Sequence, residues 1–561
     1  MIKHLNVFLG IDKIQEFYIY NDFLNSFMKI DGIPFKQTGY FSKIIIDYLD
    51  EKDELKPFYN RFPVLENFEY QLEEKQKNFS QSTRDILSSA LRQQYENMAI
   101  SKKTAENISA LKDENTFTIV TGHQLNLFTG PLYFLYKIIS TINLTKTLKK
   151  KYPSYNFVPV YWMATEDHDF EEINYFNLNG KKIQWNKEAS GGVGRLDTIG
   201  LEAVSETLAA ELGNSTNAKF LKTLFFEAYL KNNNLTDATR YLANELFKEY
   251  GLVIVDGDDK NLKRLLIPFV KSDIIENTSF KAVSETIDKI NNLPENYNIQ
   301  VNPREINYFY LVDGVRERIL EKNGVYFIND TKLSFTKDEI LTELENYPER
   351  FSPNVVCRPL YQEVILPNLC YIGGGGELAY WLELKSYFEI VKVPFPIVLL
   401  RNSALLITEK QKEKIEKLNL KISHLFLKQN TFINKKIRDI SNIDIDFSEQ
   451  KEHLQNQFKS LYELAEQTDK SFLGAVKAQE VKQLKGLDHL EKRLLKAQKR
   501  KLEDQVIRII EIQNILFPNQ SLQERQQNFS EFYLEYGEKL IPTLIEDLKP
   551  LSRDFEVLAL H

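Results

Sequence analysis

Residues 116–140 read TFTIVTGHQLNLFTGPLYFLYKIIS, and the reading of this stretch decides the fold. The first five residues, TFTIV, are β-branched or aromatic, and Thr121-Gly122 follows them. That is the pattern of a short buried strand that delivers the chain into a loop. Residues 131–152, PLYFLYKIISTINLTKTLKKKY, read as a helix, with Pro131 at a first helical position where a missing N–H is tolerated. A second apolar run, FVPVYWMA at 157–164, reads as a strand and ends in TEDHDFEE. Strand, helix, strand, with polar chemistry at the end of each strand, is the order of a βαβ unit in a parallel sheet. In such sheets ligands sit at the carboxyl ends of the strands.

Working outward, the same grammar returns twice. LVIVD at 252–256 follows a helix closed by Gly251, and PFPIVLL at 394–400 reads as a last buried strand. The expected organisation is N-terminal helices and the first half of the core over 1–172, a polar insertion over 173–235, and a second part of the core over 236–289. The first insertion includes NLNGKKIQWN as a hairpin and a loop at Gly191-Gly192-Val193-Gly194. A mixed α+β insertion follows over 290–345, then the last part of the core over 346–402. Beyond that, Leu454, Phe458, Leu461, Ala465, Thr468 and Phe472 recur at alternating spacings of four and three, as do Leu487, Leu490, Leu494 and Ala497. These heptad-like seams predict a helical coiled coil over 403–515, with a reversal in the polar stretch 430–447. Residues 516–561 read as helices that fold back on the body.

Bulk properties exclude several classes. The 561 residues carry 72 basic and 79 acidic side chains, a net charge of −7. A mildly acidic chain lacks the basic surplus of a general nucleic-acid binder. Cys357 and Cys370 are the only cysteines. Two thiols make neither a disulfide framework nor a CxxC zinc site, so no metal is expected and a reducing compartment is the natural reading. MIKHLNVFLGIDKIQEF has no apolar stretch of signal-peptide length, and no run approaches the ~18 apolar residues of a membrane span. A cytoplasmic protein is expected.

Four constellations carry candidate chemistry. Thr129-Gly130 at a helix start would point free N–H groups and the positive end of the helix dipole into a loop, an anion site to which His123 and Gln124 add side chains. An ordinary capped strand–loop–helix connection is the alternative. Glu166, Asp167, His168 and Asp169 gather three carboxylates beside one imidazole, suited to base catalysis or amine binding, or else to a solvated acidic turn. The three aspartates of DGDDKNLKRL fit a ribose hydroxyl or a helix N-cap equally well. In SPNVVCRPL, Arg358 is a candidate fork for a carboxylate or phosphate beside Asn354, and Cys357 sits in a strand-like run. Gly373 to Gly376, followed by a helix start at Glu377 that includes Tyr380, cost backbone entropy that a closely approaching ligand at Gly374, Gly375 and Gly376 would offset.

Taken together, TGHQLNLFTGPLYFLYKIIS, PVYWMATEDHDFEEIN, SPNVVCRPLYQEVILPNLCYIGGGGELAYW and LFPNQSLQERQQNF resemble the cysteine-adding enzymes of bacillithiol biosynthesis, the cysteine ligase family. The resemblance runs along nearly the whole chain. It implies an α/β fold: a Rossmann-like parallel-sheet core of the class I synthetase and nucleotidyltransferase kind, two connecting-peptide insertions, and an α-helical coiled coil that dimerises the chain. It implies a ligase that joins cysteine to glucosaminyl-malate in an amide bond. His168, Asp167 and His123 then become the catalytic candidates. Gln124, Thr129, Gly130, Glu166, Asp169, Asn354, Arg358, Gly374, Gly375, Gly376, Glu377 and Tyr380 become the substrate-binding ones. ATP or another adenine nucleotide would activate the carboxyl group. The synthetase HxGH signature and a KMSKS-like loop are absent from the sequence, so a different activating agent stays open. Two other readings compete: a metal-dependent sugar-nucleotide glycosyltransferase, and a coiled-coil interaction protein that only binds a nucleotide.

Overall fold

The computed structural model describes residues 28–560, so the first 27 residues of the expected N-terminal region lie outside it. The described residues form two compact units: residues 28–36, 40–406 and 523–560 make one, and residues 37–39 and 407–522 the other.

The first unit is built on a five-stranded, all-parallel sheet. Its strands are β1 (Thr116–His123), β2 (Asn156–Met163), β3 (Val253–Asp256), β4 (Asn368–Gly373) and β5 (Ile397–Leu400). Their spatial order is β5-β4-β1-β2-β3. The chain therefore builds outward from β1 in one direction, returns, and builds outward in the other. This is the doubly wound order, and it places the switch point between β1 and β4. Every residue of β1 is buried, as a strand covered on both faces must be. Helix α1 (Tyr133–Lys151) supplies Leu144 and Leu148 to a core that also takes Phe117, Ile119, Ile372, Ile397 and Cys370. Cys370 is a packing residue.

The insertions form elements of their own. Tyr175–Leu178 and Lys181–Gln184 make the expected hairpin, turning through Asn179 and Gly180, both at positive φ. Residues 308–353 carry a five-stranded antiparallel sheet, in which Tyr308–Val312 pairs with Val315–Lys322 on one side and Phe351–Pro353 on the other. Three local expectations need correction. Cys357 is not in a strand; it precedes helix α2 (Arg358–Ile365), because Asn354 turns the chain by accepting from the Val356 and Cys357 N–H groups. Helix α1 starts at Tyr133, so Pro131 lies before it. The C-terminal segment is helical only as far as Asp547; residues Asp554–Leu560 form a strand antiparallel to Met28–Pro34.

The second unit is helical. Helices α4 (Ser448–Glu466) and α5 (Lys470–Lys501) form a hairpin whose reversal lies at residues 467–469. Most of the polar stretch expected to hold that reversal is instead helix Gln429–Ile440, which buries Ile433 and Ile437 against Leu495.

Candidate functional site

At the carboxyl edge of the parallel sheet lies a cavity of about 670 Å³. Gly122, His123 and Gln124 enter it from the end of β1, Ala164 to His168 from the end of β2, and Gly374, Gly376 and Glu377 from the end of β4. Asn354, Arg358 and Tyr380 complete one wall. Segments some 250 residues apart in sequence thus converge, as the parallel order requires, since all five strands end on the same edge.

The floor is a tight charged network. Lys137 of α1 is buried and reaches back to donate to the Gly122 carbonyl at 2.7 Å, while pairing with Glu377 at 2.6 Å. Glu377 also accepts from the Gly374 N–H at 2.8 Å and from the Tyr371 hydroxyl at 2.7 Å. Burial alone would raise this carboxyl. Lys137 and the two other donors override it and hold Glu377 below its ordinary value. The four glycines have distinct reasons. A side chain on Gly373 would collide with the Tyr371 ring and Leu378, whereas Gly376 faces open space. Gly374 to Gly376 open helix α3 (Gly375–Leu382), whose first N–H groups are available at the cavity edge.

His123 is buried against Tyr133 and Phe134. Desolvation, reinforced by Lys137 and Arg401, pushes its pKa well down, so the ring is neutral near pH 7. It shares a backbone hydrogen bond with Thr129, and its buried Nε2 has no partner among the described residues. The bond to Thr129 must therefore use Nδ1–H, which leaves the Nε2 lone pair free. Asp167 accepts from Gln124 Nε2 at 2.9 Å and from the His168 N–H at 2.8 Å. Glu166 pairs with the buried Lys263; burial raises its carboxyl and the ammonium opposes the rise.

The structure redistributes several expected roles. Thr129 and Gly130 do not line the cavity. Phe128, Thr129 and Gly130 all adopt positive φ in a buried turn, where Asn528 donates to the Phe128 and Gly130 carbonyls. The turn is stitched to the C-terminal segment, and the α-helix begins only at Tyr133, so it is no anion site. Asp169 is exposed and outside the cavity, because the chain turns into the short helix Phe170–Ile173. A Cβ on Gly375 would point toward Ile45 and Phe41, away from the cavity. Asn354 lines the cavity, but its side chain is spent on the turn before α2 and on Asn307. His168 Nδ1 lies within hydrogen-bond distance of Arg316 Nη1, a donor only. The neutral ring then carries its proton on Nε2 and has no free lone pair, so His168 is placed to donate rather than to act as a base. The aspartates of DGDD are structural: Asp256 accepts from Thr165, Asp258 pairs with Arg195, and Asp259 caps the next helix.

Residues that the sequence reading did not single out fill the remaining walls. Trp162, Tyr133, Tyr371, Arg401 and Arg525 come from the core and the C-terminal segment, and Arg304, Phe309, Arg316 and Arg318 from the antiparallel insertion. Arg401 donates to Glu524 at 2.7 Å, and its buried Nε has no partner among the described residues. In all, Lys137 and six arginines line the cavity, against Glu166, Asp167, Glu172 and Glu377. In a chain of net charge −7 this is a local cationic surplus.

The family described as "Bacillithiol biosynthesis BshC, N-terminal Rossmann-like domain" matches residues 28–402, and its "C-terminal coiled-coil domain" matches residues 404–560. The chain belongs to the BshC family. A relative from Christiangramia forsetii named "Putative cysteine ligase BshC" is 63% identical over 95% of this chain and 99% of its own length. One from Flavobacterium johnsoniae with the same name is 62% identical, over 95% and 100%. One from Cytophaga hutchinsonii is 36% identical, over 95% and 99%. The Rossmann-like match ends just after β5, so every residue of the cavity except Arg525 falls within it.

Proposed function

We propose that this BshC-family chain is a ligase that joins the carboxyl group of L-cysteine to the amine of glucosaminyl-malate, forming the amide of bacillithiol. The observation that carries this reading is the cationic cavity at the switch point. The acceptor brings two carboxylates and an amine, and the cavity offers a surplus of guanidinium groups with a neutral, lone-pair-bearing imidazole among them.

The residues divide the work by their chemistry. Arg358 has donors directed at Gln362 and Tyr380 and no carboxylate in contact among the described residues, so it is available as a fork for a substrate carboxylate. The amine must lose a proton as it attacks. His123 borders the cavity and is the acceptor nearest to hand: its Nε2 is buried and unpartnered among the described residues, so the ring takes the proton by turning toward the bound amine, with Thr129 fixing its tautomer. His168, held by Arg316, orients an acceptor on the substrate through Nε2–H. Lys137 and Glu377 neutralise each other and hold the ends of β1 and β4 in register.

A free carboxylate is a poor acyl donor, and an adenine nucleotide would supply the activation. The residues fit an anionic phosphate: the N–H groups at the start of α3 and the open space over Gly376, with the buried Arg401 guanidinium behind them as a charge. We further propose that the chain works in the cytoplasm as a homodimer joined through the helical unit. No helix among the described residues is long and apolar enough to cross a membrane.

The test is to incubate purified protein with glucosaminyl-malate and cysteine, with and without ATP, and to look for the amide by mass spectrometry. Product in the presence of ATP supports both readings. Product without any nucleotide removes the nucleotide and leaves the ligase. No amide under either condition sinks the ligase.

A further inference from the structure

Buried cations around the cavity have carboxylates in contact: Lys137 has Glu377, Lys263 has Glu166, and Arg401 has Glu524. Arg316 has none among the described residues. It is 9% exposed, and burial pushes its guanidinium below the ordinary arginine value. Its bonds go to neutral partners: Nε to Ser352 Oγ at 3.1 Å, Nη2 to the Pro353 carbonyl at 3.3 Å, and Nη1 to His168 Nδ1. The Phe309 ring covers it at 4.1 Å. Of five N–H donors, two remain. Asp167 and Glu166 act on it only through space, without contact, and do not offset its desolvation. A buried charge with no carboxylate in contact is costly, and a fork already fixed by three bonds and a stacking ring loses little freedom when a carboxylate arrives.

The register explains why this side chain faces the cavity. Phe309 pairs with Arg318, and Leu311 with Arg316, so Phe309, Arg316 and Arg318 share one face of the antiparallel sheet. Arg318 also lines the cavity and has no acid in contact among the described residues. Across the cavity wall, Arg358 is a second guanidinium with no carboxylate in contact among the described residues.

We propose that Arg316, flanked by Arg318, binds one carboxylate of an aliphatic dicarboxylate whose other carboxylate is held by Arg358. The insertion sheet is thereby the specificity element that selects a dicarboxylate acceptor. That the dicarboxylate is the malate half of the sugar substrate rests on the ligase reading; the two-fork recognition rests only on two cavity guanidiniums that contact no carboxylate among the described residues.

Two measurements on the full chain separate these. Calorimetric titration with free malate and with lactate, which lacks one carboxylate, needs no turnover. The unmodified protein should bind malate more tightly than lactate, and Arg316→Gln and Arg318→Ala should each weaken malate by about 10- to 100-fold and leave lactate nearly unchanged. Arg318 is exposed, so its variant keeps the test sound if Arg316→Gln unfolds. In the ligation assay, the same variants should raise KM for glucosaminyl-malate with cysteine KM unchanged. Equal loss of malate and lactate binding, unchanged malate binding in both variants, or a rise in cysteine KM instead would overturn the proposal. Selective malate binding with no ligation would sink the ligase reading and leave the dicarboxylate site standing.

Discussion

His123 shows how little a residue type says until its surroundings are known. The same imidazole on a surface would titrate near neutrality; here burial and two neighbouring cations keep it uncharged, with one nitrogen tied to Thr129 and the other free. If it takes the amine proton, His123→Asn should lower kcat by roughly 10²- to 10⁴-fold with a smaller change in KM, measured by steady-state kinetics. His168→Ala should act mainly on KM. An unchanged kcat in the first variant would remove His123 from the chemistry. Legibility in the sequence differed sharply between these residues. His123, Arg358 and Glu377 stood in unusual local contexts beside glycines or loop signals. Arg316 and Arg318 lie in VRERILEK, an ordinary alternating strand, where only the pairing with Phe309 tells which face is wet. His168 was legible as a site residue, but its hydrogen-bonding sense was not, because it depends on an arginine 148 residues away.

Helix α3 turns on the difference between two glycines. Gly376 occupies an early helical position facing open space, so Gly376→Ala should raise stability by about 0.5–1 kcal/mol in thermal or chemical denaturation, since alanine is the better helix former. The added methyl group should at the same time raise KM for whichever substrate lies over it. If no KM moves, that space is not substrate space. Gly373→Ala should instead destabilise, because its Cβ would meet Tyr371 and Leu378. At the other end of α3, Glu383 accepts from the N–H groups of Gln300 and Val301, tying down a segment that brings Asn302 and Arg304 to the cavity. Burial pushes its carboxyl up to about 7. An acid whose pKa rises on folding binds more protons when folded, so its contribution favours the fold as pH falls from about 7 toward the ordinary glutamate range. Chemical-denaturation midpoints should therefore rise between pH 7.5 and 6. Glu383→Gln should flatten part of that slope, Glu531 and Asp547 carrying the rest, with values near 7 and 6. A slope identical in the variant would show that Glu383 ionises normally.

The helical unit leaves apolar surface that its own packing does not cover. In the α4–α5 hairpin, Phe458, Ala465 and Val476 are buried together, whereas Leu464 and Leu490 stay about half exposed, as do Leu461 and Phe472 to a lesser degree. The heptad seam is thus only half consumed within the hairpin. If a second copy covers the rest, the full chain should sediment as a dimer, and the double variant Leu464→Glu, Leu490→Glu should sediment as a monomer. Both proteins sedimenting as monomers would leave those leucines without the proposed partner.

By itself the sequence determined four of the five strands of the parallel core, all but Asn368–Gly373, together with the class of fold, the motif segments that meet in the cavity and the helical character of the C-terminal region. These are local properties: side-chain periodicity, β-branching, and turn residues read within a few positions. Only the tertiary structure decided that Thr129 and Gly130 belong to a buried turn, that residues 554–560 end the chain as a strand, and that an insertion sheet supplies arginines to the site. Each depends on what packs against a segment from far along the chain, and neither a residue's partner nor the face it shows to water is written in its neighbours.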